Sequence, residues 1–138
     1  MNWLLKTEPG TYNLDDLKRD KKTIWNGITS NAALKNLRSM KKGELAFIYH
    51  TGDEKQIVGI AEITKESYSD PEEDDQKLVA VDIKFKSKLD QPVTLPEIKS
   101  NKAFESWDLL RIGRLSVVPT PDNFWNRVIE LSRKARAE

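Results

Sequence analysis

The sequence Leu-Val-Ala-Val-Asp-Ile-Lys-Phe-Lys-Ser-Lys at residues 78–88 carries the clearest secondary-structure signal in the chain. Apolar and polar positions alternate along it, with one side made of Val79, Val81, Ile83 and Phe85 and the other of Lys84, Lys86 and Lys88. A period of two predicts a β-strand with one buried face and one face in water. The segments on either side of it indicate which kind of sheet this strand joins.

Further strands are predicted at residues 2–6, 45–50, 56–65 and 116–118. Helices are predicted at 14–20, after a cap at Ser30 or Asn31, at 95–99 and at 121–136. Strands interrupted by small helices predict an α+β fold with a strongly bent, mostly antiparallel sheet or small β-barrel, and argue against a doubly wound parallel sheet. The 138 residues show no linker, so we expect one domain over residues 1–138.

The composition excludes several classes of protein. The chain has no Cys and one His, His50, which rules out disulfides, thiolate zinc sites, iron–sulfur clusters and His-rich metal sites. We therefore expect no metal and no cofactor. Without an apolar run of about 18 residues or a signal peptide, no membrane partner is expected, and the predicted location is the cytoplasm, or the nucleus in a eukaryote.

The charge is distributed unevenly. The net charge is +1, but residues 66–76 carry −6 and the rest of the chain +7. The acidic segment contains Pro71 and is predicted to be an open surface loop, since its like charges repel. We expect this loop to lie away from any binding face, so that the field there is positive and favours a nucleic-acid partner.

Trp25 is the aromatic residue that packing explains least well. It precedes a polar Asn-Gly turn and belongs to no periodic apolar face, although a place in the core stays an open alternative. A tryptophan held on a turn can stack on a flat base, and base stacking contributes about 1–3 kcal/mol. Nearby polar residues could then hydrogen-bond the edge of the base: Lys6, Thr7, Asn26, Ser30 and Asn31.

Basic residues form two groups that could contact phosphate. Arg111 and Arg114 flank Gly113 directly before a predicted strand, and a guanidinium offers a planar pair of donors to phosphate or to a base edge. The second group consists of Lys35, Arg38, Lys41 and Lys42. Both groups could equally be solvated surface charges.

Several longer motifs occur in a fixed order along nearly the whole chain. They are Trp3–Pro9 (WLLKTEP), Trp25–Ile28 (WNGI), Met40–Thr51 (MKKGELAFIYHT), Val58–Glu62 (VGIAE), Pro92–Leu95 (PVTL) and Gly113–Pro119 (GRLSVVP). Together they resemble the EVE domain family. The resemblance implies a PUA-like fold, and it implies binding of a modified base in DNA or RNA, as in the similar YTH and SRA-type domains.

Matched position by position, the resemblance implies a base pocket walled by Trp25 and lined by Lys6, Thr7, Asn26, Tyr49, His50, Arg114, Leu115 and Ser116. Phosphate contacts would come from Arg111, Arg114 and the Lys35–Lys42 group. The chain departs from the family at Asn26, where Asp is more frequent, and at Thr29-Ser30, where Arg-Asn is common. The polymer, the modification and the oligomeric state therefore stay open, and a nuclease or an RNA-processing protein is a conceivable partner.

Two other functions are compatible with the sequence. ASCH-type PUA-like domains hydrolyse acylated nucleosides with Lys, Thr and Glu, and Lys6, Thr7 and Glu8 are residues of these types. Adjacent strand residues point to opposite faces, however, which argues against a shared site for all three. The remaining alternative is a general RNA-binding or protein-interaction module without a base pocket.

Overall fold

The computed structural model describes the backbone of residues 1–137 and the side chains up to Arg133. It contains six strands and five helices in mixed order. The strands are β1 (Asn2–Thr7), β2 (Lys22–Trp25), β3 (Leu45–His50), β4 (Gln56–Ser69), β5 (Val79–Thr94) and β6 (Val117–Thr120). The helices are α1 (Leu14–Asp20), α2 (Asn31–Ser39), α3 (Leu95–Lys99), α4 (Asp108–Arg111) and α5 (Asp122–Ala137), with a 3-10 turn at Lys102–Phe104.

The strands form one sheet in the order β2-β5-β4-β3-β1-β6. β1 runs parallel to β3, and every other pair is antiparallel. This confirms the predicted α+β class and the mostly antiparallel sheet. The sheet stays open, because β2 and β6 form its two edges and do not pair with each other.

The two longest strands extend beyond the predicted ranges. β4 reaches Ser69 and β5 continues through Pro92 to Thr94, with several register shifts along their pairing. An extra residue in one strand bends it and increases the local twist, so these irregularities explain how the sheet curves without breaking. Because β4 includes the residues up to Ser69, the acidic loop is shorter than the expected loop at residues 66–76.

Helix α2 packs on the sheet. Ser30 caps it by accepting a hydrogen bond from Ala33 N–H, and its buried face consists of Ala33, Leu34 and Leu37. The helix packs against β4, β5 and β6, and Asn36 donates a hydrogen bond to the Val117 carbonyl at 2.8 Å. A polar group on the edge strand is thereby satisfied by a helix instead of by another strand.

Most large aromatic residues pack in the core. Trp3, Trp107 and Trp125 are buried, and the Trp125 ring stacks on Phe47 with centroids 3.8 Å apart. Trp3, Trp107 and Trp125 therefore serve the packing of the core. Within residues 1–137, none of the helices has the length and hydrophobicity that crossing a bilayer requires.

Candidate functional site

Several of the predicted site residues lie close together around the end of β1. β1 lies between β3 and β6, and Lys6 is paired with Tyr49 across the parallel ladder. The Lys6 N–H donates to the Ser116 carbonyl at 3.0 Å, and the Thr51 N–H donates to the Thr7 carbonyl at 2.9 Å. These backbone bonds fix the end of β1 between two neighbouring segments.

Two cavities meet at this point, and both are lined by Lys6, Thr7 and Glu8. We call these three residues the shared wall. The Trp25 cavity has a volume of about 470 Å³, and the Arg114 cavity one of about 540 Å³. Volumes of this size are typical of small-molecule sites.

The Trp25 cavity lies between the ends of β1 and β2. Besides the shared wall, it is lined by Thr11, Tyr12, Thr23, Ile24, Trp25, Asn26 and Ile28. The Trp25 ring meets the Tyr12 ring edge-on, with centroids 6.4 Å apart. Trp25 is only 8% exposed, so most of its ring belongs to the core and a small part faces the cavity. The core alternative therefore holds for most of the ring, and base stacking on the part that faces the cavity stays a prediction.

The acidic segment touches the rim of the Trp25 cavity, and the prediction that it lies away from the binding face is wrong. Asn26 Nδ2 donates to Asp70 Oδ1 at 3.2 Å and to Glu72 Oε2 at 3.0 Å. The reason is the register: Trp25 pairs with Val81, which places the end of β2 beside the start of β5, where the acidic segment arrives.

Asp70 is the buried anchor of this contact. It is 3% exposed, and its carboxylate accepts hydrogen bonds from the Glu72 N–H and the Gly27 N–H as well as from Asn26. The Glu72 N–H bond is the largest of the effects that hold the pKa of Asp70 below its usual value, against the opposing effect of desolvation. Gly27 has a φ of +78°, a conformation that glycine adopts without strain.

The Arg114 cavity combines an apolar floor with a basic rim. Tyr49, Leu95, Leu109 and Leu110 supply apolar surface, and the cationic residues are Lys6, Lys55, Lys99 and Arg114. Glu8 is the acidic side chain among the lining residues, which also include Thr7, Thr51, Gly52, Gly113 and Ser116. Four cations against one carboxylate give this cavity a positive field.

Lys6 is the half-buried cation of the shared wall. Its Nζ donates to the Gly113 carbonyl at 2.8 Å and lies 5.7 Å from the centre of the Tyr49 ring. Burial lowers the pKa of Lys6 and raises the pKa of Tyr49, because the charged form of each side chain loses solvation.

Four predicted pocket residues lie outside both cavities. His50 Nε2 accepts from the Leu14 N–H at 3.1 Å, and Nδ1 lies 2.9 Å from Glu54 Oε1, so the imidazole anchors α1 to β3. Ser30 and Asn31 begin α2 without lining either cavity. Leu115 is buried in the core. The sequence placed them next to pocket residues, but alternation in β3 turns His50 away and the start of α2 takes up Ser30 and Asn31. Leu115 lies before β6 and packs into the core.

Of the predicted phosphate contacts, only Arg114 lines a cavity. Arg111 forms an ion pair with Asp108 at 2.9 Å, and Arg38 donates to the Lys77 carbonyl. The exposed side chains of Lys35, Lys41 and Lys42 line neither cavity. The structure thus does not bring this group to the site.

The sequence did not indicate several lining residues. Tyr12 lies in the loop before α1, five residues after Thr7, and a Tyr following Pro-Gly was the available signal. Lys55 and Lys99 come from separate loops and helices that only the tertiary fold unites. The expectation that Lys6, Thr7 and Glu8 do not share a site is wrong in one respect, because all three residues line both cavities. Alternation still turns the polar atoms of the two strand residues apart: Lys6 Nζ donates to the Gly113 carbonyl in the Arg114 cavity, and Thr7 Oγ1 donates to the Tyr12 carbonyl in the Trp25 cavity.

Known proteins similar to this chain point to one family. Human thymocyte nuclear protein 1 is 30% identical over 96% of this chain and 74% of its own length. A crystal structure of the human protein in complex with DNA containing 5-methylcytosine has a TM-score of 0.87 at 30% identity, covering 95% of this chain and 96% of that one. An NMR structure from Rhodopseudomonas palustris has a TM-score of 0.91 at 35% identity, covering 96% and 93%.

A more distant structure is that of an ASCH mutant protein from Zymomonas mobilis, which covers 94% of this chain and 97% of its own. Its TM-score is 0.60 at 12% identity, so this similarity shows a shared fold alone. The structural neighbours confirm the PUA-like fold that the resemblance implied. The EVE domain model matches residues 1–131, nearly the entire length. The chain therefore belongs to the EVE domain family.

Proposed function

We propose that this protein binds a modified nucleobase of DNA or RNA in the Trp25 cavity, without catalysis. The observation that carries the proposal is the composition of this cavity: two aromatic side chains, Trp25 and Tyr12, lie beside the polar groups of the shared wall and Asn26. A flat heterocycle needs an aromatic surface for its face and hydrogen-bonding groups for its edge. Human thymocyte nuclear protein 1, which has been crystallised with 5-methylcytosine DNA, supports the same class of ligand.

The polar groups of the cavity could recognise a base edge in complementary ways. Lys6 is a donor and Glu8 an acceptor. Thr7 Oγ1 already donates to the Tyr12 carbonyl, and Asn26 Nδ2 already donates to the acidic segment, so each of these two side chains offers its oxygen as an acceptor. A carboxylate accepts well from an exocyclic amine such as N4 of a cytosine. We assign Glu8 this role.

A base must leave its stack to enter such a cavity. Flipping from a duplex costs a few kcal/mol, so single strands and weakened pairs are the favoured substrates. The acidic segment at the rim, through Asp70 and Glu72, repels phosphates on that side of the cavity. The strand is thereby directed toward the basic side, where Lys6 and Arg114 lie.

The proposal is tested by fluorescence anisotropy with labelled single strands that carry one cytosine, one 5-methylcytosine or one N6-methyladenine. We expect one modified strand to bind more tightly than its unmodified counterpart. Trp25→Leu keeps apolar bulk in the core but removes the indole. Because only a small part of the ring faces the cavity, the loss should lie at the lower end of the about 1–3 kcal/mol that stacking contributes, and binding should weaken about fivefold.

Trp125→Leu is the matched control, because Trp125 is also 8% exposed but packs on Phe47 away from both cavities. It should lose stability without losing the preference for the modified strand. Equal binding of all strands by the wild type would favour a general RNA-binding module. Equal binding by wild type and folded Trp25→Leu would refute the proposed cavity.

The non-catalytic part of the proposal needs its own measurement, since Lys6, Thr7 and Glu8 do lie together. N4-acetylcytidine incubated with the protein should show no hydrolysis above the buffer rate. Turnover that disappears in Lys6→Met would instead establish an amidohydrolase.

A further inference from the structure

In the proposed function, the modified base lies in the smaller of the two cavities, and the larger one is left without an occupant. The Arg114 cavity lies on the opposite side of the shared wall from Trp25 and Tyr12, and it contains neither of these aromatic residues. Its rim and floor differ chemically, since cations surround apolar side chains. A ligand that fits both must carry an anionic group next to an apolar one.

Three of the four cations of this cavity have no partner in the described part of the protein, and Glu8 is the one carboxylate among its lining residues. Among the side chains that the structure describes, Lys55, Lys99 and Arg114 form no ion pair and no hydrogen bond. Like charges around one cavity repel each other, and a bound anion offsets this unfavourable electrostatic energy. A guanidinium and two ammonium groups are the donors that proteins use for phosphate.

Lys55 adds an independent observation. Its φ is +46°, a left-handed conformation that is uncommon for residues with a Cβ. The loop is held there because the Lys55 carbonyl accepts a hydrogen bond from Leu95 N–H at 2.8 Å, at the start of α3. Strained residues of this kind concentrate at functional sites, where the surrounding structure over-determines their position.

We propose that the Arg114 cavity binds the nucleotide adjoining the base held in the Trp25 cavity, with its phosphate on Arg114, Lys55 and Lys99 and its sugar against Leu95 and Leu110. This inference rests on the proposed function. The two cavities share three consecutive residues, so neighbouring nucleotides of one strand can occupy both. The protein then recognises a dinucleotide step with a modified base, and a free base would use half of the site.

The test uses the 5-methylcytosine strand with an uncharged methylphosphonate in place of either the 5′ or the 3′ phosphate of the modified nucleotide. One of the two replacements should weaken binding about tenfold, as expected for loss of a charge-assisted hydrogen bond. In Arg114→Ala the same replacement should have little further effect, because the partner of that phosphate is already missing.

Lys55→Gly should weaken binding without lowering stability. Glycine adopts a positive φ without strain, so the melting temperature should stay the same or rise, while affinity for the charged strand falls. Lys41→Ala is the control, since it removes an exposed cation that lines neither cavity. It should leave the methylphosphonate effect intact.

Free 5-methyl-2′-deoxycytidine and its 5′ and 3′ monophosphates distinguish a strand phosphate from a free nucleotide. One monophosphate that binds more tightly than the nucleoside, and loses this advantage in Arg114→Ala, supports the inference. If neither methylphosphonate changes binding, or if Arg114→Ala is simply additive with it, the inference is wrong. Loss of binding in Trp25→Leu alongside either result would leave the proposed base site standing.

Discussion

Replacing Asp70 with alanine should loosen the rim of the Trp25 cavity. The variant removes a buried acceptor that holds Asn26, the Gly27 N–H and the Glu72 N–H. Hydrogen bonds to a charged group contribute about 1.5–3 kcal/mol each, but Asn26 and Glu72 are accessible to water and recover part of this loss. We therefore expect a destabilisation of about 2 kcal/mol, which for a domain of this size lowers Tm by roughly 6–8 °C.

Urea unfolding monitored by tryptophan fluorescence measures the loss of unfolding free energy. Fluorescence anisotropy with the 5-methylcytosine strand measures the change in binding. Asp74→Ala is the matched control, because it removes an equal charge from an exposed position of the same segment. If Asp70 positions the cavity wall, Asp70→Ala should lose stability and the preference for the modified base, whereas Asp74→Ala should lose neither. A change below about 0.5 kcal/mol for Asp70→Ala, typical of an unimportant surface position, would refute the reasoning.

Three further outcomes are expected. A Cβ at Gly59 would lie 2.6 Å from both Leu14 methyl groups and 3.0 Å from the Ser87 carbonyl, so Gly59→Ala should cost about 1–3 kcal/mol in chemical denaturation. Combining it with Leu14→Ala should cost less than the sum of the two single changes, and strict additivity would contradict the proposed clash. The hydrogen bond with His50 lowers the pKa of Glu54 below 4.5. The stabilisation that the ionised Glu54 provides is therefore present above pH 4.5 and is lost as the pH falls through the lowered pKa of the folded state. In Glu54→Gln this part of the acid dependence of Tm should disappear. Burial lowers the pKa of Lys6 below 10.5, so affinity for the strand should fall as the pH rises through that pKa, and Lys6→Arg should prevent the loss seen by anisotropy at alkaline pH.

Local patterns predicted most of the strands and helices, but they did not predict β2, which carries Trp25, or the short helix α4. Alternation at residues 78–88 and 56–65 placed β5 and β4 correctly, and Ser30, one of the two expected caps, begins α2. The lengths of β4 and β5 were underestimated because bulges interrupt the alternation, while the pairing of the two strands continues to Ser69 and Thr94. An irregular strand has no simple period in its sequence.

The site was predicted in part, and the failures have a common cause. Lys6, Thr7, Trp25 and Asn26 line one cavity, and Tyr49, Arg114 and Ser116 line the other, but the sequence could not show that there are two. His50 adjoins Tyr49 in sequence, yet its side chain points to Leu14. Adjacency along the chain indicates which segment is involved, whereas the direction of each side chain depends on the pleat and on what packs against it.

The shared wall has a consequence for how binding specificity can diverge among related domains. A substitution at Lys6 or Glu8 alters both cavities at once, and β1 is held on both sides by β3 and β6. Tyr12 and Asn26 border only the Trp25 cavity, and Lys55 and Lys99 only the Arg114 cavity. Each of these pairs belongs to a loop or a short helix that can change without disturbing the sheet. Under the proposed function, the preferred base and the preferred neighbouring nucleotide can therefore evolve as separate traits while the shared wall stays the same.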